Sequence, residues 1–377
     1  MHTFIKNLLN GQSVEWKPLG EVLVRTKGTK ITAGQMKELH QENAPIKIFA
    51  GGKTFAMVDY GDIPEKDINQ KPSIIVKSRG IIEFEYYDKP FSHKNEMWAY
   101  HSIDKNIDIK FVYYFLKLNE PFFQNLGSKM QMPQIATPDT DKFKIPIPPL
   151  EIQQKIVQIL DAFTTVTAEL TAEYNLRVKQ YQYYRDLLLD FNHLKNPFAN
   201  GLNVEWKGLG EVAKKIYSGK NKEKTANGIY SIYGSTGIIG KTNIKAHEGE
   251  KILVARVGAN AGFVHIAQGE YDVSDNTLVI EEDRSQLILK YLYYVLEGMN
   301  LNQFAKGAGQ PLITGGYLKS ITIPIPPLEI QTKIVEILDK FETLTHSISE
   351  GLPREIQLRQ KQYEYYRELL LNFDTQK

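Results

Sequence analysis

The sequence predicts an α/β (α+β) protein built twice over, with two mixed domains that are each followed by one long α-helix. Three observations carry the prediction. Near-identical blocks recur at offsets of 178 to 190 residues, short β-like runs fill the stretches between them, and an apolar seam of helical period closes each copy. A chain of 377 residues has room for this at roughly 150 residues per domain.

The repeat organises everything else. VEWKPLGEV at 14–22 returns as VEWKGLGEV at 204–212, identical at eight of nine positions. IPIPPLEIQQKIVQILDAF at 145–163 returns as IPIPPLEIQTKIVEILDKF at 323–341 with 16 of 19 identical, and LRVKQYQYYRDLLLDF at 176–191 returns as LRQKQYEYYRELLLNF at 358–373 with 12 of 16. The enclosed segments, roughly 23–144 and 213–322, keep only echoes such as IIVKSRG against ILVARVG. A constant frame around two diverged blocks suits one scaffold carrying two different readers.

Within the blocks IKIFA, SIIVKS and IIEFEYY, then GIYSIYG, KILVARVG, FVHIA and TLVIEE, read as strands, with Gly and Asn marking the turns. One amphipathic helix follows in each copy, over about 108–120 and 285–297. The prolines of IPIPPL cannot continue a helix from upstream, and the last can occupy the first turn of a new one. From Ile152 to Phe191 and from Ile330 to Phe373 apolar residues recur mostly in alternating steps of four and three, a coiled-coil seam. About 40 residues make a helix of about 60 Å, too long to bury against one small domain, so such helices need each other. Gly351-Leu352-Pro353 should kink the second helix or restart it at Pro353.

Composition narrows the function classes. Hydrophobic content of 42% and charged content of 24% are those of a folded globular chain. The absence of Cys excludes disulfides, thiolate metal sites and Cys nucleophiles and fits a reducing cytoplasm. No run of 18 apolar residues occurs, so neither a spanning helix nor a signal peptide is expected. Net charge is only +2, yet the two helical stretches carry −4 and leave +6 on the rest. Lys214, Lys215, Lys220, Lys222 and Lys224 cluster in the second block, and Lys17, Arg25, Lys27 and Lys30 occupy the corresponding stretch of the first. Basic clusters beside Tyr, Ser and Asn suit phosphate contact with polar base readout; a solvated lysine face explains the same residues.

Catalytic motifs do not emerge. There is no GxxxxGK, no HExxH and no GxSxG. Gly234, Gly237 and Gly240 read as turn glycines, and His93 and His101 as packed or exposed histidines without ligand spacing. Asn196-Pro197-Phe198 lacks the second proline of an adenine-methyltransferase NPPY motif, and Pro138-Asp139 has no D/E-x-K within the few tens of residues after it. No metal site is expected.

The pair of IPIPPLEIQ.KIV.ILD.F motifs, each followed by R.KQY.YYR.LLL, with GLPREI in the second copy, resembles the specificity subunit of type I restriction-modification enzymes along the whole chain. The resemblance implies target-recognition domains at 1–148 and 194–326 and conserved helical spacers at 149–193 and 327–377. It implies that the two helices pair as an antiparallel coiled coil with pseudo-two-fold symmetry. It also implies a noncatalytic DNA-reading subunit on which two methylation subunits dock, with restriction and translocase subunits joining through them. S-adenosylmethionine, ATP and magnesium would then be held by those partners, with no cofactor on this chain. For DNA contact the candidates are the loops around Lys129-Met130-Gln131 and Lys306-Gly307-Ala308-Gly309-Gln310, which precede Pro133 and Pro311. Lys27, Lys30, Lys53, Lys220, Lys222, Tyr233, Ser235, Thr236, Lys241, Arg256 and Asn260 complete the set, with turn-building as the competing role for each. Tyr181, Tyr184, Tyr363 and Tyr366 of the QY.YYR segments are assigned to the helix seam and the partner surface, and Trp16 and Trp206, which lie in the constant frame, to packing.

One rival belongs to another class: a coiled-coil adaptor whose two α/β domains bind protein or glycan. Asn10-Gly11 precedes the first VEWK as Asn200-Gly201 precedes the second, so the N-terminal segment should occupy the place that follows a helical region. The first helical region also lacks Gly-Leu-Pro and carries Thr-Ala-Glu-Leu and Thr-Ala-Glu-Tyr at 167–174, so the two spacers are not expected to be equivalent throughout.

Overall fold

The computed structural model describes residues 3–128, 132–199, 201–307, 311–346 and 351–373. Tertiary contacts gather the chain into two compact units, Met1–Glu169 with Ile356–Lys377, and Leu170–Glu355. Each unit holds one diverged block, half of the helix Leu150–Leu189 and part of the second helical region, so these units cut through both predicted spacers.

In the first unit Val24–Arg25, Trp98–His101, Ser73–Lys77 and Glu83–Tyr87 form a four-stranded antiparallel sheet in that order. Ser73–Lys77 is buried along its whole length, which explains a nearly unbroken apolar run where a half-exposed strand would alternate. A second sheet joins Phe55–Val58, Ile46–Phe49 and Phe91–His93, the last pair parallel. The frame motifs close the domain: Glu15–Pro18 pairs antiparallel with Lys144–Ile147. Residues far apart in sequence thus meet where the diverged block begins and ends.

The second unit repeats the plan. Ala213–Ser218, Thr277–Glu282, Lys251–Ala255 and Val264–Ala267 form the first sheet, and Gly237–Thr242, Tyr230–Gly234, Glu270–Val273 and His247–Glu248 the second. Glu205–Gly208 closes the block against Thr322–Ile325. The register agrees as well, since Ile74 and Val76 oppose Tyr100 and Trp98 as Ile252 and Val254 oppose Ile280 and Leu278.

One helix couples each sheet to the frame. Ile109–Leu118 contributes Phe111, Val112, Phe115 and Leu116 to a core that also holds Ile74 and Val76 of the sheet and Ile152, Ile156 and Leu160 of the long helix. Leu289–Gly298 does the same with Ile252, Val254, Ile334 and Leu338. Two repeated polar residues fix the joint. Gln153, fully buried, accepts from the Asp108 N–H at 2.9 Å and donates to the Asn106 and Pro148 carbonyls at 3.0 and 2.7 Å. Its repeat mate Gln331 accepts from the Ile288 N–H at 2.8 Å and donates to Gln286 and Pro326 carbonyls at 2.8 and 2.9 Å. The Tyr114 hydroxyl and Lys110 meet Asp161, and the Tyr294 hydroxyl and Lys290 meet Asp339. Burial first, then the neighbouring carboxylate, pushes both tyrosines far above their ordinary pKa.

The helical regions pair inside each unit, the early part of one beside the late part of the other. Phe163 stacks on Tyr366 with ring centres 5.1 Å apart, and Phe341 stacks on Tyr184 at 5.4 Å. These two stacks are repeat mates. The first helix runs unbroken over Leu150–Leu189, and in the second region the described helices are Leu328–His346 and Gly351–Leu371, with 347–350 outside the described residues. Gly351, the first described residue of the later helix, has a φ of 76°, which suits glycine. Pro353 then lies in the first turn, where its missing N–H costs no hydrogen bond.

Ile5 and Leu9 of the helix Thr3–Leu9 share a core with Leu370, Leu371 and Phe373, so the N-terminal segment does follow the end of a helical region in space. Asn196 is fully buried and donates to the Leu188 and Asp190 carbonyls, both at 3.1 Å, capping the end of the long helix. Trp16 packs edge-on against Phe115 as expected, whereas Trp206 remains 46% exposed on its strand and is not a core residue.

Candidate nucleic-acid interface

Three segments of the second unit meet the turn Ser274–Asn276, and a fourth joins through Arg256 and Gly258. Asn221 forms a parallel bridge with Ser274, whose N–H donates to the Tyr233 carbonyl at 2.9 Å. The Ser235 hydroxyl donates to the Asn276 carbonyl at 3.2 Å, and the Arg256 N–H reaches the same carbonyl at 2.9 Å. From the far side Ile313 donates its N–H to the Arg256 carbonyl and Gly258 donates its N–H to the Pro311 carbonyl, which ties in residues 311–313. Gly219 makes the approach possible, because a Cβ there would stand 2.3 Å from the Ser274 and Val273 carbonyl oxygens.

The first unit builds the same edge from other residues. Thr29 bridges Lys94, and its N–H donates to the His93 carbonyl at 2.8 Å. Lys94 donates its N–H to Phe49, beside the 50–54 hairpin that carries Lys53, and the Ser78 hydroxyl donates to the Glu96 carbonyl at 3.3 Å. Gly80 and Ile135 link this end to the segment after Pro133. His93 is buried, with Nδ1 3.0 Å from the Lys94 carbonyl and Nε2 2.8 Å from the Thr26 hydroxyl. A carbonyl can only accept, so Nδ1 carries the proton; burial holds the ring below its ordinary pKa and therefore neutral.

Each edge is rich in polar groups, and lysines are exposed around it. Lys27 and Lys30 line a cleft with Arg25 and Lys66 in the first unit, and Lys53 is exposed at its hairpin. In the second unit Lys220 and Lys222 flank Asn221, Thr236 and Asn260 are exposed in turns, and Lys306 is exposed beside the bridge to Leu312. Such a layout places cations for phosphates around groups able to meet base edges.

Two candidates do not present their side chains at this edge. Tyr233 is packed between His265, at a ring distance of 5.9 Å, and Tyr271 at 5.2 Å, so it builds the core of the sheet. Lys241 is exposed, but it opposes Ser231 at the opposite end of the hairpin from the Gly234–Gly237 turn. Lys129, Gln131 and Gln310 lie outside the described residues. Sequence reasoning missed Asn221, Asp275 and Asn276 in one edge and Lys66, Arg79 and Lys94 in the other; the only signal was the pair of polar breaks SDN and KNE before a β-rich run.

The tyrosines divide differently from expectation. Tyr181 is 2% exposed and donates its hydroxyl to Glu297 at 2.6 Å, with Arg185 on the same carboxylate at 3.2 Å. Tyr363 packs against the core under the Arg367 guanidinium, 5.3 Å from its ring centre. Both belong to the interior of their own unit, and Tyr184 and Tyr366 are held in the ring stacks. Tyr366 remains 38% exposed beside its stack, and the neighbours are more exposed still, Tyr183 at 57% and Tyr365 at 60%, each one heptad after an exposed leucine, Leu176 or Leu358.

The type I restriction modification DNA specificity domain matches residues 13–180 and 203–358. The chain is 36% identical to the type I restriction enzyme EcoR124I/EcoR124II specificity subunit of Escherichia coli, covering 98% of this chain and 97% of that one. It is 30% identical to the EcoprrI specificity subunit of the same organism, over 92% of both. The S subunit of a type I restriction-modification system from M. genitalium shares the fold with a TM-score of 0.68 at 18% identity, over 97% and 98% of the two chains. These likenesses favour the specificity reading over the coiled-coil adaptor.

Proposed function

Since the chain belongs to the type I restriction modification DNA specificity family, we propose that it reads a bipartite, non-palindromic DNA target, one half-site per unit. The observation that carries this reading is the pair of edges with one architecture and different side chains. A shared scaffold gives the two readers equivalent presentation, and the divergence gives them different bases.

The chain is noncatalytic by itself and works in the cytoplasm. Two methylation subunits dock on the helical regions, one for each copy of the frame, and restriction subunits join through them. Leu176 with Tyr183 and Leu358 with Tyr365 supply an exposed apolar patch on each copy. S-adenosylmethionine, ATP and magnesium are bound by those partners.

Exchanging residues 23–144 for those of a relative, followed by mapping of methylated sites, tests the reading. One half-site should change and the other persist. A change in both, or in neither, rules out modular recognition.

A further inference from the structure

The geometry points to Arg256 as the side chain that reads a guanine in the half-site of the second unit, an assignment that rests on the edge being the DNA-contacting surface. Arg256 stands at the centre of that edge. Its N–H is held by the Asn276 carbonyl and its carbonyl by the Ile313 N–H, both at 2.9 Å, so two loops fix the main chain. The guanidinium is half-buried, and its one described hydrogen bond runs from Nη1 to the Asp275 carbonyl at 3.5 Å. Among the described residues no carboxylate lies within 4.0 Å of it. Elsewhere in the same unit Arg177, Arg185 and Arg284 each have a carboxylate partner.

An arginine drawn partly out of water without a counter-charge contributes little to the stability of the free protein. Its remaining N–H groups form a planar fork that matches guanine O6 and N7, whereas the exposed lysines at the rim suit phosphates as point charges. The first unit supports the assignment by contrast. The position two residues beyond Val76 corresponds to the one two residues beyond Val254, and it holds Ser78, buried and turned to the Glu96 carbonyl. The same central place is therefore an arginine in one reader and a small buried hydroxyl in the other. Two half-sites of different sequence require such a difference.

The test uses the full chain assembled with its methylation subunits, after the wild-type target has been read from methylated DNA. Duplexes carrying 7-deazaguanine at one guanine at a time remove N7 alone. Wild type should lose roughly ten- to a hundredfold in affinity at one guanine of one half-site. R256A and R256Q should show that loss on unmodified DNA, with no further loss from the deaza substitution and an unchanged salt dependence. The half-site read by the first unit serves as the internal control for folding. A uniform loss over all sequences, with the salt slope reduced by about one, would assign Arg256 to a phosphate and overturn the inference. Unchanged binding by both variants would overturn it too. If wild type itself prefers no sequence on that side, the reading of the edge fails first, which is a separate result.

Discussion

Replacing Gln153 by Leu removes the polar bolt between the first diverged domain and the long helix while keeping nearly the same volume. Gln153 makes three hydrogen bonds to the main chain, one from the Asp108 N–H and two to the Asn106 and Pro148 carbonyls. Leucine leaves all three backbone groups without that partner in a site where the glutamine is 0% exposed. Each unpaired buried group costs about 1–3 kcal/mol. The lower part of that range is appropriate because Asn106 is exposed and water can reach its carbonyl, so the expected loss is about 3–5 kcal/mol. That is a large share of the roughly 5–15 kcal/mol that holds a typical domain folded. Urea denaturation followed by circular dichroism measures the loss, and hydrogen exchange at 106–112 should locate it. Gln154, exposed and replaced by Thr332 in the second copy, provides the control: Q154L should stay within about 0.5 kcal/mol of wild type. A cost for Q153L below about 1 kcal/mol would refute the bolt, and the repeated glutamine would need another explanation.

The His265 ring lies between Phe263 and Tyr233, with neither nitrogen hydrogen-bonded, and burial lowers its pKa from 6.5 to about 4. Stability owed to this group is complete above about pH 6.5 and is lost as pH falls toward 4, because the unfolded chain takes up the proton first; H265F should remove up to about 3 kcal/mol of that acid sensitivity, and parallel urea titrations of both proteins at pH 7.5 and 5 would show it. Y183D and Y365D should weaken assembly with a methylation subunit in a pull-down while leaving DNA binding by the isolated chain intact; equal loss of both would assign these rings to the fold. Inserting one more Thr-Ala-Glu-Leu after Leu170 extends the helix by about 6 Å and rotates it by about 40°. At about 3.4 Å per base pair, methylation mapping should show an unread spacer about one to two pairs longer between unaltered half-sites, and an unchanged spacer would show that the helix does not set the gap.

The two-fold repeat, the α/β blocks and the seam of the helical regions were legible in the sequence alone. Each of these is periodic or near-identical in one dimension and needs no knowledge of neighbours. The sequence also identified several edge residues, because exposed Lys and turn Asn, Ser and Thr announce themselves locally. What it could not separate was role. Tyr181 and Tyr183 differ only by the turn of a helix, yet one is buried against Glu297 and the other is exposed, and the sequence assigned the partner surface to Tyr181 and passed over Tyr183. Tyr233 reads as a polar aromatic on a strand, and only the sheet places His265 and Tyr271 against it. The meaning of the repeated Gln and Asp in LEIQ and ILD was likewise hidden. Their partners, at 106–114 and 286–294, lie some 45 residues away in sequence. The edges were decided by tertiary structure alone: turns with no sequence in common are brought together by equal strand registers, because main-chain hydrogen bonds fix position without specifying side chains.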